Sequence, residues 1–280
     1  MINRFDKTFF MRTLLVFFFI LTATTGFGKE VGYIASTPAG SSVRNFLGIS
    51  QTDSIDFIRW HLVIVDGNQY NLSCSYGLSK PNTNGFINEQ KISIKGVVFG
   101  KGNMLSLRNN GRFQNLLILN ENILHLLNDD GSLMVGNGGW SYTLNAISQV
   151  SAKEINLTHQ SVNFKDSIVF EGRTPCKGIE EMMLGKTREE CYKKKWLVYL
   201  YKNAPSSGTY KIGSTAGAYQ GKWKLKEGTP GRTIYTLELN NGRTLNLLHA
   251  DNNIVYLMDP RGELMVGDHD FSYSLNIRKR

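Results

Sequence analysis

The sequence predicts an all-β protein composed of two tandem antiparallel β-barrels or half-barrels. Three observations predict this fold class: a long segment of the chain occurs twice, apolar and polar residues alternate within each copy, and tight-turn residues separate the alternating runs. The duplication sets the number of modules, while the alternation and the turns give each module a meander of short strands. Rolling such a meander into a barrel removes its unpaired edges.

The duplicated segment aligns with its copy without a gap. Residues 109–145 match residues 240–276, and 19 of the 37 positions are identical. A weaker correspondence upstream keeps its order, with Trp60, Tyr70 and Gly96 matching Trp196, Tyr210 and Gly221. Each copy has the size of a domain rather than that of a solenoid repeat. The chain therefore divides into a leader at 1–28, a first module at 29–146, a connector at 147–165 and a second module at 166–280.

The end of the duplicated segment shows the alternation most clearly. Phe271, Tyr273 and Leu275 alternate with serines, and the first copy repeats this pattern. One apolar face and one polar face are typical of a half-buried strand. The Asn-Asn-Gly sequences at 109–111 and 240–242 predict hairpin turns, because glycine supplies a positive φ and asparagine tolerates it.

Two segments carry a helical pattern, and each could supply one short covering helix for its barrel. Residues 42–52 show the pattern weakly, and within residues 177–194 the apolar positions that include Met182 and Met183 recur at roughly helical spacing. We interpret the two methionines as flexible core filler beneath a helix that covers the barrel end. The lysine run at 193–195 is interpreted as the solvated approach to a strand.

Residues 1–28 have the pattern of a secretory signal peptide. Basic residues precede the apolar run TLLVFFFILT, and the sequence Gly-Phe-Gly then supplies small residues for cleavage. The apolar run is shorter than the roughly 20 residues that a membrane-spanning helix needs. No cysteine follows it that could carry a lipid anchor. We therefore expect an exported protein, periplasmic or secreted, without a transmembrane anchor.

The charge of the chain bears on the class of partner. The formal net charge is +9, but the basic residues form no stripe interleaved with aromatic residues, so we expect no nucleic-acid partner. The basic excess is compatible with weak attraction to an anionic envelope surface.

The second module opens with VFEGRTPCKGI at residues 169–179. This phrase resembles the start of the NlpE N-terminal domain family, envelope lipoproteins associated with copper resistance and surface sensing. The resemblance continues through Tyr210, the Gly-x-Trp strand at Trp223 and the hairpin IVYLMDPRG at 254–262. It implies a small barrel of lipocalin-like shape in the bacterial envelope. The family's second, closely spaced cysteine does not follow Cys176, and the lipid-anchor cysteine is absent, so copper binding and membrane anchoring are not carried over.

Three cysteines in an exported chain suggest one disulfide and one free thiol. Cys176 and Cys191 flank the predicted covering helix of the second module, so we pair them and leave Cys74 free in a strand. The alternative is that both stay reduced, in which case Cys176, Cys191 and Met182 are weak candidate ligands for a soft metal ion. Because there is neither a Cys-x-x-Cys motif nor a histidine close by, we predict no metal site and no cofactor.

Aromatic residues of the second module are the candidate ligand-binding residues, namely Trp196, Tyr210, Trp223 and Tyr273. They would line a barrel interior that holds a small hydrophobic ligand. The leading hypothesis is therefore a non-enzymatic, exported cell-envelope protein for binding or sensing, whose partner is such a ligand or another protein.

The alternative hypothesis is an envelope hydrolase or a periplasmic copper-handling protein that uses the second module. Asp268, His269 and Asp270 look like a catalytic cluster, but the duplicated segment places them at a loop tip where the first copy has Asn137, Gly138 and Gly139. Aspartate is common in turns for backbone reasons. No hydrolase or phosphate-binding motif occurs in the sequence, so we predict no catalytic residue.

Overall fold

The computed structural model describes residues 30–152, 154–157, 160–185, 190–214, 217–228 and 232–279 of the chain. The predicted signal peptide at 1–28 lies outside these residues. Among the helices of the described residues, none has both the length and the apolar character that crossing a membrane requires.

The first module is a closed barrel of eight antiparallel strands in sequential order. Its strands are β1 (Glu30–Pro38), β2 (Phe57–Val65), β3 (Gln69–Ser79), β4 (Phe86–Lys101), β5 (Met104–Asn109), β6 (Arg112–Asn120), β7 (Ile123–Leu126) and β8 (Thr143–Ala146). A helix, α1 (Ser41–Leu47), follows β1 and buries Val43 and Phe46 in the barrel core.

The second module is a closed antiparallel barrel of the same design. Its strands are β9 (Ser167–Pro175), β10 (Lys193–Ala204), β11 (Ser207–Ser214), β12 (Gly217–Gly228), β13 (Arg232–Glu238), β14 (Thr244–Asp251), β15 (Ile254–Met258) and β16 (Ser274–Ile277). A helix, α2 (Ile179–Leu184), follows β9 as α1 follows β1. The prediction of two tandem all-β barrels is confirmed, and both sheets close completely.

Both helices are shorter than the sequence pattern suggested. α1 ends before Gly48 and α2 before Gly185, and each glycine has a φ of 76°. Glycine adopts this left-handed conformation, which commonly ends a helix, at little cost because it lacks a Cβ atom. The guanidinium groups of Arg112 and Arg243 then donate to the last carbonyls of α1 and α2, so the two covering helices are held in the same way.

The end of the duplicated segment closes each barrel. β8 pairs with β7 and with β1, where Asn145 lies opposite Ile34, and β16 pairs with β15 and with β9, where Asn276 lies opposite Glu171. Leu144 and Leu275 point into their barrels and are fully buried. These four-residue strands therefore carry the closure of two whole sheets.

The polar faces of these closing strands pack against each other rather than facing water. The hydroxyl of Ser141 lies 2.5 Å from that of Ser272, and the hydroxyl of Thr143 lies 3.1 Å from that of Ser274. The partners in each pair are equivalent positions of the two copies, separated by 131 residues. The two barrels are therefore related by an approximate two-fold axis, in the way that an isologous dimer is built. We call this contact the seam.

Reciprocal hydrogen bonds extend the seam on either side of the axis. The Gly136 N–H donates to Asn276 Oδ1 at 2.7 Å, and the Gly267 N–H donates to Asn145 Oδ1 at 2.8 Å. An apolar cluster flanks these bonds and takes equivalent residues from both copies, including Leu119, Ala250, Ile123, Ile254, Leu133 and Leu264. The closing strands are therefore not half-buried, as their alternation indicated, because the polar face is covered by its own duplicate.

The connector at 147–165 contacts both barrels. Its residues Ala152 and Ile155 are buried, and Ile155 belongs to the apolar cluster that flanks the seam. The Asn122 side chain exchanges two hydrogen bonds with the backbone of Val150, and the Asn156 N–H donates to Leu119 O. The connector therefore crosses the junction in contact with it.

His125 lies at the centre of the seam, opposite its equivalent Tyr256. Its Nε2–H donates to Met134 O at 2.9 Å, and its Nδ1 accepts from the Tyr256 hydroxyl at 2.7 Å. Complete burial lowers the pKa of His125 from the usual 6.5 to about 4, although the bond to Met134 acts in the opposite direction. The imidazole is therefore neutral at pH 7 and serves as part of the junction.

We predict that the protein loses stability as the pH falls from 6.5 to 4. In that interval His125 binds a proton in the unfolded state but not in the folded state. This protonation stabilises the unfolded state by on the order of 3 kcal/mol. Urea unfolding at several pH values measures the effect, with His125→Gln as the variant that lacks the titrating ring. The free energy of unfolding of the variant should depend less steeply on pH than that of the parent protein. An identical slope in both proteins would contradict the lowered pKa of His125.

Candidate functional site

The cysteine and methionine residues selected from the sequence meet at the helix-covered end of the second barrel. Cys176 and Cys191 form a disulfide that joins the start of α2 to the approach of β10, as predicted. Met182 and Met183 lie on α2 and are buried, with Met183 in the barrel core. Cys74 is the free cysteine of the described residues, and burial raises the pKa of its thiol.

The four aromatic candidates lie in the packed core of the second barrel. Their polar atoms bond to the protein itself: the Trp196 N–H donates to Thr174 Oγ1 at 2.9 Å, and the Trp223 N–H donates to Tyr201 O at 3.0 Å. The Tyr210 hydroxyl donates to Glu238 O at 2.8 Å, and that of Tyr273 donates to Lys177 O. Equivalent bonds hold Trp60 and Tyr70 in the first barrel, so this arrangement belongs to the framework of both modules.

Two buried charged residues distinguish the covered end of the second barrel. Glu180 on α2 and Lys194 on β10 are both fully buried. Lys194 Nζ lies 3.2 Å from Met183 Sδ and 4.9 Å from the centre of the Trp196 ring. Glu180 precedes Met183 by one helical turn and so lies on the same face of α2. The interpretation of the lysine run as solvated is therefore wrong for Lys194, whose side chain points into the barrel.

The first barrel has apolar residues at the two equivalent positions. Ile58 lies opposite Thr37 in the sheet as Lys194 lies opposite Thr174, and both threonines accept the N–H of a core tryptophan. Val43 lies five residues before Gly48, the glycine that ends α1, and Glu180 lies five residues before Gly185, the glycine that ends α2. Val43 is therefore the equivalent of Glu180. Both Ile58 and Val43 are fully buried. One barrel therefore carries a buried acid and a buried base where its duplicate carries a valine and an isoleucine.

Metal-ligating atoms also gather at this end. The sulfur atoms of Cys176 and Cys191 and a carboxylate oxygen of Glu180 all lie within 4.8 Å of one another. Met182, the third weak candidate, is buried on the same helix. A metal ion binds the thiolate form of cysteine, and neither sulfur is a thiolate while the disulfide is intact. Metal binding through these residues would therefore require the reduced protein.

The loop tip of the second module makes an interdomain contact rather than an open carboxylate site. Asp270 is paired with Arg59 of the first barrel at 2.8 Å and accepts the side-chain N–H of Asn84 at 2.5 Å. Asp268 accepts the backbone N–H groups of Asp270 and Phe271, as an aspartate in a turn does. His269 is largely exposed, with its Nε2 3.4 Å from Asp270. Of these three side chains, that of Asp270 contacts β2, whereas Gly138 and Gly139 of the first copy lie close to Glu171 and Arg173 of β9.

The largest exposed apolar side chains of the first barrel include a group that sequence reasoning missed. Val97 and Phe99 on β4, Met104 on β5 and Phe113 on β6 are 46%, 49%, 40% and 53% exposed. Val97 lies opposite Arg108, which in turn lies opposite Phe113, so these side chains share the outer face of the sheet. The Arg108 guanidinium lies 5.8 Å from the centre of the Phe113 ring. We call these four apolar residues the outer patch.

The second barrel has polar residues at three of the four equivalent outer positions, and Ile234 takes the place of Met104. The hydroxyl of Tyr70 donates to Arg108 O and that of Tyr210 to Glu238 O, which makes Arg108 and Glu238 equivalent. Counting along the paired strands from Arg108 and Glu238 gives the other equivalent positions. Lys222 and Lys224 on β12 correspond to Val97 and Phe99 on β4. Thr244 on β14 corresponds to Phe113 on β6. Comparing the two modules strand by strand would have revealed the outer patch, but their gapless alignment begins only at residue 109.

No protein-family model, curated protein or solved structure matches this chain. The functional interpretation therefore depends on the geometry of the molecule.

We predict that loss of the disulfide lowers the free energy of unfolding by roughly 3 kcal/mol. The bond closes a loop of 15 residues, and on the chain-entropy model its removal stabilises the unfolded state by that amount. Urea unfolding of Cys176→Ser/Cys191→Ser measures the change. Reductant should destabilise the parent protein to the level of this variant and leave the variant unchanged; equal effects of reductant on both would show that another group is responsible.

We predict strong coupling between Glu180 and Lys194. Either Glu180→Val or Lys194→Ile alone would leave one buried charge, and should cost about 3 kcal/mol or more. The double variant reproduces the residues of the first barrel and should lose less stability than either single variant. A double-mutant cycle by urea unfolding measures the coupling. Additive losses would mean that the two charges do not compensate each other.

Proposed function

We propose that this protein is an exported, non-enzymatic binding or sensing component of the cell envelope, and that it binds through the outer patch of the first barrel. The observation that carries this proposal is the exposure of four large apolar side chains on one wall of a barrel. Contiguous exposed apolar surface on a soluble protein commonly marks an interaction site.

Filled barrel interiors favour the outer wall over the interior as the binding site. The largest fully buried side chains come from both barrels and include Trp60, Tyr70, Trp223, Tyr210 and Tyr235. Ligand-binding barrels need space that side chains do not occupy. A small hydrophobic ligand among Trp196, Tyr210, Trp223 and Tyr273 would have to displace a packed core, so we favour a partner outside the barrel.

The bonding of the acidic residues supports a binding role rather than catalysis. Asp270 is held by Arg59 and Asn84, and Asp268 is bonded to the backbone of its own turn. A general acid or base needs a carboxyl group that can exchange a proton with a substrate. Asp270 instead fixes the second barrel's loop tip against the first barrel, and Asp268 holds the turn itself.

The assignment to the envelope is part of the proposal and has two supports. The first is the signal-peptide pattern at 1–28, and the second is the resemblance of residues 169–179 to the NlpE opening phrase. The disulfide adds a physical argument, because such bonds persist mainly in oxidising compartments outside the cytosol.

We predict that a photo-crosslinking amino acid at position 113 captures an envelope component in living cells. The side chain of Phe113 is 53% exposed on the outer face, so a bound component would lie within reach of the probe. Thr244 is the equivalent position of the second barrel and provides the matched control. Adducts at 113 that are absent at 244 would support the proposal.

If no crosslinked adduct forms at position 113, the outer patch is not the binding site. Native mass spectrometry of the exported protein tests the alternative, since a co-purifying small lipid that Phe99→Thr/Phe113→Thr leaves bound would place the ligand inside a barrel. The expected spectrum shows the chain without such a ligand.

A further inference from the structure

We infer that the outer patch docks on an anionic lipid surface. This inference rests on the proposed function and specifies the partner of the same site. The outer patch consists of Val97, Phe99, Met104 and Phe113, and it is surrounded by basic side chains.

The charges around the patch are mostly of one sign. Strands β4 to β6, with their turns, span residues 86–120 and contain five lysine and arginine residues but one acidic residue. Lys95 and Lys101 lie on the outer face of β4, on either side of Val97 and Phe99, and both are exposed. Arg108 extends between Val97 and Phe113. An apolar centre with a basic rim is complementary to the acyl boundary and the negative headgroups of an anionic membrane.

The shape and size of the patch favour a lipid surface over a protein partner. The patch lies on the side wall of a closed barrel, where the strands have no free edge for an added peptide strand. Protein interfaces usually involve about 20 to 30 residues on each side. A lipid surface requires much less, because a few inserted side chains together with nearby lysine and arginine residues can give reversible binding.

The second barrel has charge without the apolar centre. Lys222 and Lys224 take the places of Val97 and Phe99, and Lys224 is paired with Glu238 at 3.2 Å. Basic residues alone are attracted to a membrane but insert nothing into it. The first barrel would therefore face the membrane. The second barrel would be attached to the first barrel through the seam.

Vesicle sedimentation tests this inference with protein recovered after export, its mass verified. The probes are vesicles of phosphatidylcholine alone and vesicles with about a third phosphatidylglycerol. We expect binding to the anionic vesicles that weakens in about 0.5 M salt, because salt screens the basic rim. Phe99→Thr/Phe113→Thr should reduce this binding about tenfold or more, since two half-exposed rings no longer insert.

A matched pair of charge variants separates the patch from the overall basic charge. Lys95→Gln/Lys101→Gln should weaken binding about tenfold at low salt. Lys222→Gln/Lys226→Gln removes the same charge from exposed positions of the second barrel and should change binding less than about twofold. All these substitutions lie at exposed strand positions, and thermal unfolding checks that each variant keeps the fold.

Three results would overturn the lipid inference. They are no binding to anionic vesicles, binding that the phenylalanine variants leave intact, and equal losses in the two lysine variants. Crosslinks from position 113 to a protein or to a second copy of this chain, without vesicle binding, would replace the lipid by that partner and leave the proposed function standing. The absence of any crosslink at 113 would remove the proposed function itself.

Discussion

The structure depends on two four-residue strands, β8 and β16, that each belong to a barrel and to the seam. On one face Leu144 and Leu275 complete the barrel cores, and on the other face Thr143 and Ser274 bond to each other across the axis. A short closing strand has few ladder hydrogen bonds of its own, so burial on both faces matters more for it than for a longer strand. Each barrel therefore stabilises the closure of the other.

The seam also explains why a polar sequence can be buried at low cost. Ser141, Ser272, Thr143 and Ser274 bond to their own duplicates, and Asn145 and Asn276 accept backbone N–H groups from the opposite barrel. These hydroxyl and carbonyl groups lose water but gain partners across the axis, which avoids the penalty of an unsatisfied group. The pairing needs the same residue types on both sides, and the gapless duplication supplies them.

Local pattern was sufficient to predict the barrels but not the junction or the outer patch. Alternation and turn residues are properties of one strand and its neighbours in sequence, so strands such as β16 and the hairpins at 109–111 and 240–242 could be recognised. The same alternation cannot tell whether the polar face of Ser272 meets water or another barrel. It also could not show that Lys194 points inward, because a lysine run resembles a solvated face. The disulfide was predictable, since both cysteines flank one short helix.

Differences between the two copies locate specialised features better than the residues they share. The shared aromatic residues, such as Trp60 and Trp196, make the same bond to a threonine in both barrels and so belong to the framework. Three differences have a clear physical consequence: Asp270 pairs with Arg59, Glu180 and Lys194 place charge beneath one helix, and Phe99 and Phe113 give one wall an apolar surface. The first of these fixes the two barrels together, and the second changes the interior of one barrel. Only the third changes what the molecule presents to its surroundings, and for that reason the binding role is assigned to the wall of the first barrel.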